Sequence, residues 1–546
     1  MSSKNSPFFP LRHKAFRSLW IATLFSNLGS LVQAVGAGWM MASMEASDTL
    51  VSLVQASTTL PVMLLALAAG AAADNYERRH VMLFAQCFMC VVSASLALAA
   101  WFGALNPWAL LMFTFLLGCG NALNNPAWQS SMLDLVPKED LPAAVGLNSM
   151  GFNAMRSVGP AIGGLIVASF GASAAFTLNA LSYFSVIFAL FRWHPRPVER
   201  TLPRESMGAA MWAGLRYVSM SPGILRVIMR AFFFGVSGIT ILALMPVVAR
   251  DVLGGGPVIY GVLLGAFGVG AIVGVLFSPS LRAKFPNEYI VRGSFIMFAL
   301  GTAILGFSTW LVLSVIAITL TGAAWVMALS LFNVTVQLLA PRWVVGRALA
   351  LYQSFAFGGM AFGAWFWGWT SEVVGIEAAL VLSGMSMLVG AGLGLIWRLP
   401  EFSSTNLDPM SGMRSPELHL GIQGRSGPIM VMIDHRIAHE DINKFLSLMQ
   451  QRRRIRLRDG ARQWALMRDL EDPEIWVESY HVPTWNEYLR QQMRRTQADA
   501  ESFREIRALH RGPEPPKVHR MIERQTVPRQ DDTPIVVQHA KIAGAG

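Results

Sequence analysis

Twelve apolar stretches, each close to the roughly 20 residues that cross a bilayer as a helix, fill most of the first 400 positions of this chain. They fall at about 16–40, 50–73, 80–101, 108–130, 142–168, 174–191, 224–249, 258–280, 289–309, 311–336, 346–371 and 378–397. Backbone groups in hydrocarbon must be satisfied within the spanning segment, so runs of this length select helices. Composition agrees: 53% of the residues are apolar and 14% charged, with a mean hydropathy of +0.44, whereas soluble domains carry closer to a quarter charged residues. Interruptions are expected at Gly159-Pro160 and Gly358-Gly359, where helix formers give way.

The stretches contain a repeat. GAAADNYERR at 70–79 matches GVLFSPSLRA at 274–283, placing Gly70 with Gly274, Asp74 with Ser278 and Arg78 with Arg282. Pro137-Lys138 matches Pro341-Arg342 and Gly159 matches Gly363 at the same offset of 204. A constant offset over this distance marks two related halves of six stretches each, an arrangement that in membranes encloses a substrate path.

Short cytoplasmic loops collect Lys and Arg, and alternate loops here do so. The set runs from Lys4, Arg12, Lys14 and Arg17 through Arg78 and Arg79, Lys138, Arg192 to Arg204, Arg282 and Lys284, to Arg342 and Arg347. The intervening loops are nearly bare, so both termini are expected in the cytoplasm. Residues 1–398 hold 22 basic and 13 acidic side chains, against 22 and 20 after them. The net charge of +11 is therefore mostly topological, and nucleic acid is not an expected partner. No cleavage site follows the first stretch, which predicts a retained helix rather than a leader. Cys87, Cys90 and Cys119 all fall in apolar stretches and read as packing residues; no metal or cofactor site is expected.

Between the second and third stretches, Gly70, Asp74, Arg78 and Arg79 form G-x-x-x-D-x-x-x-R-R, and GPAIGG occupies 159–164. These motifs resemble the loop signature and the exporter-associated fifth-span motif of the major facilitator superfamily, over about residues 10–400. Met155 replaces the glycine that the family usually has four residues before the Gly-Pro pair; Gly146 matches the earlier one. The resemblance implies a gating loop (Gly70, Asp74, Arg78 and Arg79, with Gly274 and Arg282 in the second half) that latches one face shut; a purely topogenic basic turn is the alternative. In physical terms Gly70 allows close helix approach, Asp74 suits a helix N-terminus of the opposite half, and Gly159, Pro160, Gly163 and Gly164 make a tight, kinked helix crossing.

Arg156 lies one turn before that crossing. A cation there faces a cavity or a partner, or snorkels to the cytoplasmic end. The candidates for the substrate path are Arg156, Gln33, Asn148, Asn153 and Asn124, though uncharged amides in spans are commonly helix-to-helix contacts. No Asp or Glu falls at the centre of any stretch. Proton coupling is what the resemblance implies, with Asp74 the one titratable candidate.

After Pro400 the character changes. Residues 401–426 read as a flexible linker. Strands are expected at 428–437, 462–470, 474–482 and 517–523, and helices at 439–458 and 484–509, a β-α-β-β-α-β ferredoxin-like plan. This tail resembles the dimeric α+β barrel domains of the antibiotic-biosynthesis monooxygenase type, which exporters of the enterobactin-exporter or transmembrane secretion effector group sometimes carry. His435, His439 and His481, with Trp464, Trp476 and Trp485, allow an enzyme reading, but a structural one is preferred. RRRIRLR at 452–458 reads as a solvated helix face or an anionic-lipid contact, and 525–546 as disordered.

The expected architecture is an all-α membrane protein of twelve helices in two six-helix pseudo-repeats with a cytoplasmic α+β tail. Its parts are halves at 1–200 and 223–400, a loop at 201–222, a linker at 401–426, a ferredoxin-like domain at 427–524 and an end segment at 525–546. The expected function is export of a small organic molecule, a siderophore or drug-like compound, across a bacterial inner membrane by alternating access. The partners are the lipid bilayer, the substrate, protons and, through the tail, a second copy of the chain. A nutrient importer, or a membrane-tethered oxygenase or ligand sensor acting through the tail, are the alternatives.

Overall fold

The computed structural model of the chain describes residues 9–44, 46–137, 139–194, 207–341, 343–400 and 418–523. Most of the expected linker and the end segment lie outside the described residues. Two compact units emerge: Met1–Met211 with Gly223–Gln337 and Gly346–Phe402, and Trp212–Pro222 with Leu338–Val345 and Ser403–Gly546.

The first unit is helical. Its N-terminal half holds α1 (Lys14–Ser43), α2 (Asp48–Asn75), α3 (Arg78–Trp101), α4 (Pro107–Leu135) and the long α5 (Leu141–Arg192). The connecting helix α6 (Met207–Ser219) leads to α7 (Pro222–Val247), α8 (Pro257–Lys284), α9 (Asn287–Phe307), α10 (Leu311–Leu339), α11 (Val345–Val374) and α12 (Ile376–Ile396). Ten helices among the described residues are long and apolar enough to cross a bilayer, one of them covering Ala143–Arg192.

That long helix is two in one. Gly171 interrupts it with φ 81° and ψ 169°, a backbone region that favours glycine. Gly375, 204 residues later, has φ 87° and ψ 156° and separates α11 from α12. The bounds of α4 and α10 differ by the same 204 residues, so the sequence repeat is a repeat of helices. The expected interruptions at Gly159-Pro160 and Gly358-Gly359 are absent: α5 and α11 stay helical through both. These glycines instead bring helices together, Gly358 against Met63 of α2 and Gly359 against Phe232 of α7.

Each half has its own core. In the first, Phe16, Met82, Trp128, Leu147 and Leu190 cluster toward one end, and Met41, Val51, Leu96, Leu110 and Phe176 toward the other. In the second, Phe234 is a hub whose ring lies 5.0 Å from Phe295, 5.8 Å from Phe298 and 5.6 Å from Trp325, spacings typical of edge-to-face packing.

The second unit is built on a four-stranded antiparallel sheet of β1 (Ile429–Arg436), β2 (Arg462–Arg468), β3 (Ile475–Val482) and β4 (Val518–Ile522), ordered β2-β3-β1-β4. Alternating burial along β1 sends Val431, Ile433 and His435 to the face covered by α13 (Ile442–Asp459). The helix expected over 484–509 is broken into α14 (Trp485–Met493) and α15 (Gln497–Ala508). Thr496 caps the second piece: its hydroxyl accepts from the Asp499 N–H at 3.3 Å, and the Asp499 carboxylate accepts from the Thr496 N–H at 3.1 Å. This reciprocal cap competes with a continuous helix and wins.

Candidate functional site

Between the two halves of the first unit lies a cavity of about 200 Å³. It draws Leu31 from α1, Gln55 from α2, Arg156 and Pro160 from α5, and Tyr260 and Phe267 from α8. The walls are apolar and aromatic, and Arg156 is the charged group among them. Its guanidinium stands over the Phe267 ring at 5.4 Å, a cation–π contact across the two halves. Among the described residues it has no carboxylate partner.

The halves touch firmly at one end, the end that carries the α1–α2, α7–α8 and α11–α12 connections. There Ser371 donates to Asp48 at 2.7 Å, Thr49 to Glu372, and Arg250 to the Ala42 carbonyl. Just inside this seam, α5 crosses α8 backbone to backbone. A Cβ at Gly164 would stand 2.7 Å from the Pro257 oxygen and 3.1 Å from Gly261 Cα; one at Gly261 would stand 2.7 Å from the Pro160 oxygen. On the opposite side of α5, Gly159 faces Leu31 and Gly163 faces Val32 of α1. The GPAIGG segment is thus wedged between a helix of its own half and a helix of the other.

The loop motif is arranged differently from its expected geometry. Gly70 has open space where a Cβ would be, whereas its repeat partner Gly274 lies against the Ala323 backbone of α10. Close approach of helices is therefore a property of Gly274 and not of Gly70; in the first half α2 meets α4 at Gly118, beside Pro61. Arg78 donates to Asp134 at 2.7 Å and to the Ser130 carbonyl at 2.9 Å. Arg79 reaches the Leu190 and Phe191 carbonyls, which end α5. Arg282 donates to Ser330 at 3.3 Å. These described contacts stay within one half each, and the Asp74 side chain lies outside the described residues. Arg78→Ala and Asp134→Ala are each expected to lower transport about tenfold, a coupling of the size typical for one network. The double variant should be no worse than either single one; additive losses in a transport assay would show that the two side chains act separately.

Of the five substrate-path candidates, the structure puts Arg156 in the cavity and the other four elsewhere, all in contacts inside the first half. Gln33 is buried and accepts from Ser93 at 2.9 Å and from Asn179 at 2.5 Å. Asn124 accepts from Gln86, Asn148 from the Trp128 indole, and Asn153 donates to the Ser149 carbonyl one turn back. The amides of Gln33, Asn124 and Asn148 are occupied as helix-to-helix contacts, which is what short polar side chains between packed helices do, and that of Asn153 bonds its own helix. Gln55 is the amide that lines the cavity with Arg156.

Sequence reasoning passed over one buried ion pair. Arg230 of α7, 2% exposed, donates to Glu288 at 2.5 Å, and Glu288 also accepts from the Leu399 N–H at 2.9 Å. The pair joins α7, α9 and the end of α12. The ninth apolar stretch begins at residue 289, one position after this carboxylate.

In the second unit the three candidate histidines are not brought together. His435 is buried on the helix side of β1, His481 lies on the other face of β3, and His439 is exposed beyond the strand. RRRIRLR is not a solvated face throughout. Arg452 and Arg456 are buried and both donate to Glu478 of β3, at 2.7 and 3.1 Å, with the Trp464 indole adding a third donor at 3.1 Å. Burial alone would raise the Glu478 carboxyl; Arg456 and Arg452 outweigh it and hold the group down at about 2. Phe445, Met449, Arg452 and Arg456 recur at helical spacing on one face, the signal by which the two buried arginines could have been found.

Among known sequences, the family described as transmembrane secretion effector matches residues 5–527. The staphyloferrin A transporter of Staphylococcus aureus is 25% identical over 305 residues, 54% of this chain and 74% of its own length. The multidrug efflux pump Tap of Mycobacterium tuberculosis (strain H37Rv) is 24% identical over 420 residues, 74% of this chain and 98% of its own. Among solved structures, a bacterial homologue of the human lysosomal transporter Spinster, inward-facing and unoccupied, aligns with a TM-score of 0.53 at 15% identity, covering 71% of this chain and 95% of that one.

Proposed function

We propose, from the premise that the chain belongs to the transmembrane secretion effector family, that it exports a small organic molecule, a siderophore or drug-like compound, by alternating access between its two halves. The protein is a membrane transporter and not an enzyme; its relatives carry staphyloferrin A or expel drugs. The observation that carries the reading is the cavity between the halves. It is capped at one end by the Asp48–Ser371, Thr49–Glu372 and Arg250–Ala42 contacts and holds the cation Arg156, which has no carboxylate partner among the described residues. At about 200 Å³ it is smaller than the roughly 300–1,000 Å³ of drug-sized sites. It would take one polar end of the substrate, an anionic or electron-rich group facing Arg156.

Twelve spans, with both termini in the cytoplasm of a bacterial inner membrane, fit the matching breaks at Gly171 and Gly375 and the basic alternate loops. With that orientation the capped end is extracytoplasmic and the conformation faces inward. Protons are the coupling ion that the superfamily suggests. The ferredoxin-like plan of the tail is supported by its strand order β2-β3-β1-β4. Its uncovered sheet face, bearing Met430, Met432, Met467 and Met521, would be paired by a second copy.

Direction and site are tested together. Inside-out vesicles carrying the protein should accumulate a labelled carboxylate siderophore, and right-side-out vesicles should not. Arg156→Ala should cut that accumulation about a hundredfold, since a charge-assisted contact in a desolvated site is lost. Uptake by right-side-out vesicles alone would make the protein an importer, and undiminished accumulation by the variant would remove Arg156 from the path.

A further inference from the structure

The tail domain encloses a second cavity, of about 250 Å³, between its sheet and its helices. Its walls carry an excess of positive charge. Arg452, Arg456, Arg495, Arg507 and Arg520 all line it, while the carboxylate beside them, Glu478, is already occupied by Arg452, Arg456 and Trp464. Arg495 stands over the Phe503 ring at 5.1 Å. It has no carboxylate partner among the described residues, and its buried Nε has no hydrogen-bond partner. His435, 2% exposed, also faces the cavity with both ring nitrogens unpartnered. Burial, then Arg452, pushes its pKa down to about 4, so it is a neutral ring with one donor and one acceptor to offer. A packed core does not leave such groups unsatisfied; a structural histidine and arginine of that kind normally have partners.

We propose that this cavity binds a small organic carboxylate with a flat apolar body. The carboxylate accepts from Arg495 and Arg452, for which paired guanidinium donors are suited, and the body lies against Tyr480, Tyr488 and Phe503. The aromatic walls argue against a bare inorganic anion, and the volume is below that of drug-sized sites. The helices that supply these arginines also hold other parts of the second unit. Arg458 on α13 stands over Tyr217 at 5.1 Å, and Arg494, next to Arg495, stands over Trp343 at 4.5 Å. Tyr217 belongs to the segment before α7, and Trp343 to the connection from α10 to α11. Ligand bound between these helices would therefore stiffen both connections, which makes the tail a sensor.

Labelled benzoate, a minimal planar carboxylate, provides the test on the full-length protein in detergent. Saturable binding with a Kd of about 1 mM or tighter is expected, the range open to a ligand of this size. Benzamide should not compete, and Arg495→Gln should weaken binding at least tenfold. Hydrogen exchange in peptides covering 212–222 and 338–345 should slow when benzoate is present. No saturable benzoate binding up to about 10 mM, roughly ten times that Kd, or equal competition by benzamide, would overturn the carboxylate assignment. Equal competition by inorganic phosphate would show an anion site with no use for the apolar body and would overturn the organic part. Binding is read directly, so it stands or falls separately from export.

Discussion

Gly164→Val is expected to abolish efflux while leaving the protein in the membrane. Even the first added carbon would come within 2.7 Å of the Pro257 oxygen and 3.1 Å of Gly261 Cα. Both obstacles are backbone, so neither can rotate away. Relief requires α5 and α8 to separate, and these helices belong to opposite halves. Overpacking of this kind costs about 1–3 kcal/mol, which shifts a two-state equilibrium roughly 5- to 150-fold. The shift should run away from the conformation sealed by Asp48, Thr49 and Arg250. A cysteine placed at Val51, in the cavity wall, should then become reactive from the side that those contacts seal. Gly261→Ala should behave alike, because its Cβ meets the Pro160 oxygen and Gly164 Cα. Gly70→Ala, where nothing lies within 4 Å, is the matched control and should transport normally. Loss of export in that control with full export in Gly164→Val would mean that the crossing does not set the conformational balance.

The helices and the two-fold repeat were legible in the sequence because both depend on local properties: length, hydropathy and a fixed offset. The breaks were not. Gly159-Pro160 and Gly358-Gly359 look like interruptions, yet Gly171 is where α5 bends, since a glycine between packed helices and a glycine at a turn carry the same letter. Arg156 was found because an isolated cation in an apolar run is costly whatever surrounds it. That Gln33, Asn124, Asn148 and Asn153 bond within the first half was not legible, because an amide's partner depends on which face of its helix meets which neighbour, information that exists only after packing. The same limit hid Arg452 and Arg456. A run of five basic residues in seven looks solvated until Glu478, 22 residues beyond Arg456 and on a strand, supplies the buried carboxylate.

Glu288→Gln is expected to destabilise the second half more than any single change to its apolar surface. Arg230 is 2% exposed and Glu288 is the carboxylate that compensates it, at 2.5 Å. Removing the negative charge leaves a buried guanidinium unpaired, at a cost of about 3–5 kcal/mol. It also weakens the acceptor for the Leu399 N–H, loosening the end of α12. Detergent-purified Glu288→Gln should lose its folded form many times faster than the parent on heating, a rate being the proper measure for a protein that unfolds irreversibly. The informative comparison is the double variant Arg230→Met with Glu288→Met. Replacing both partners of a buried pair by apolar groups of similar size is commonly neutral or stabilising, so the double variant should recover most of the lost half-life. If Glu288 also moved protons during transport, the double variant would be stable yet inactive. A double variant that is stable and fully active makes the pair a strut between α7, α9 and α12. Equal instability in the single and double variants would instead mean that the helices meet at Glu288 through packing and the Leu399 contact, with the charge pair contributing little.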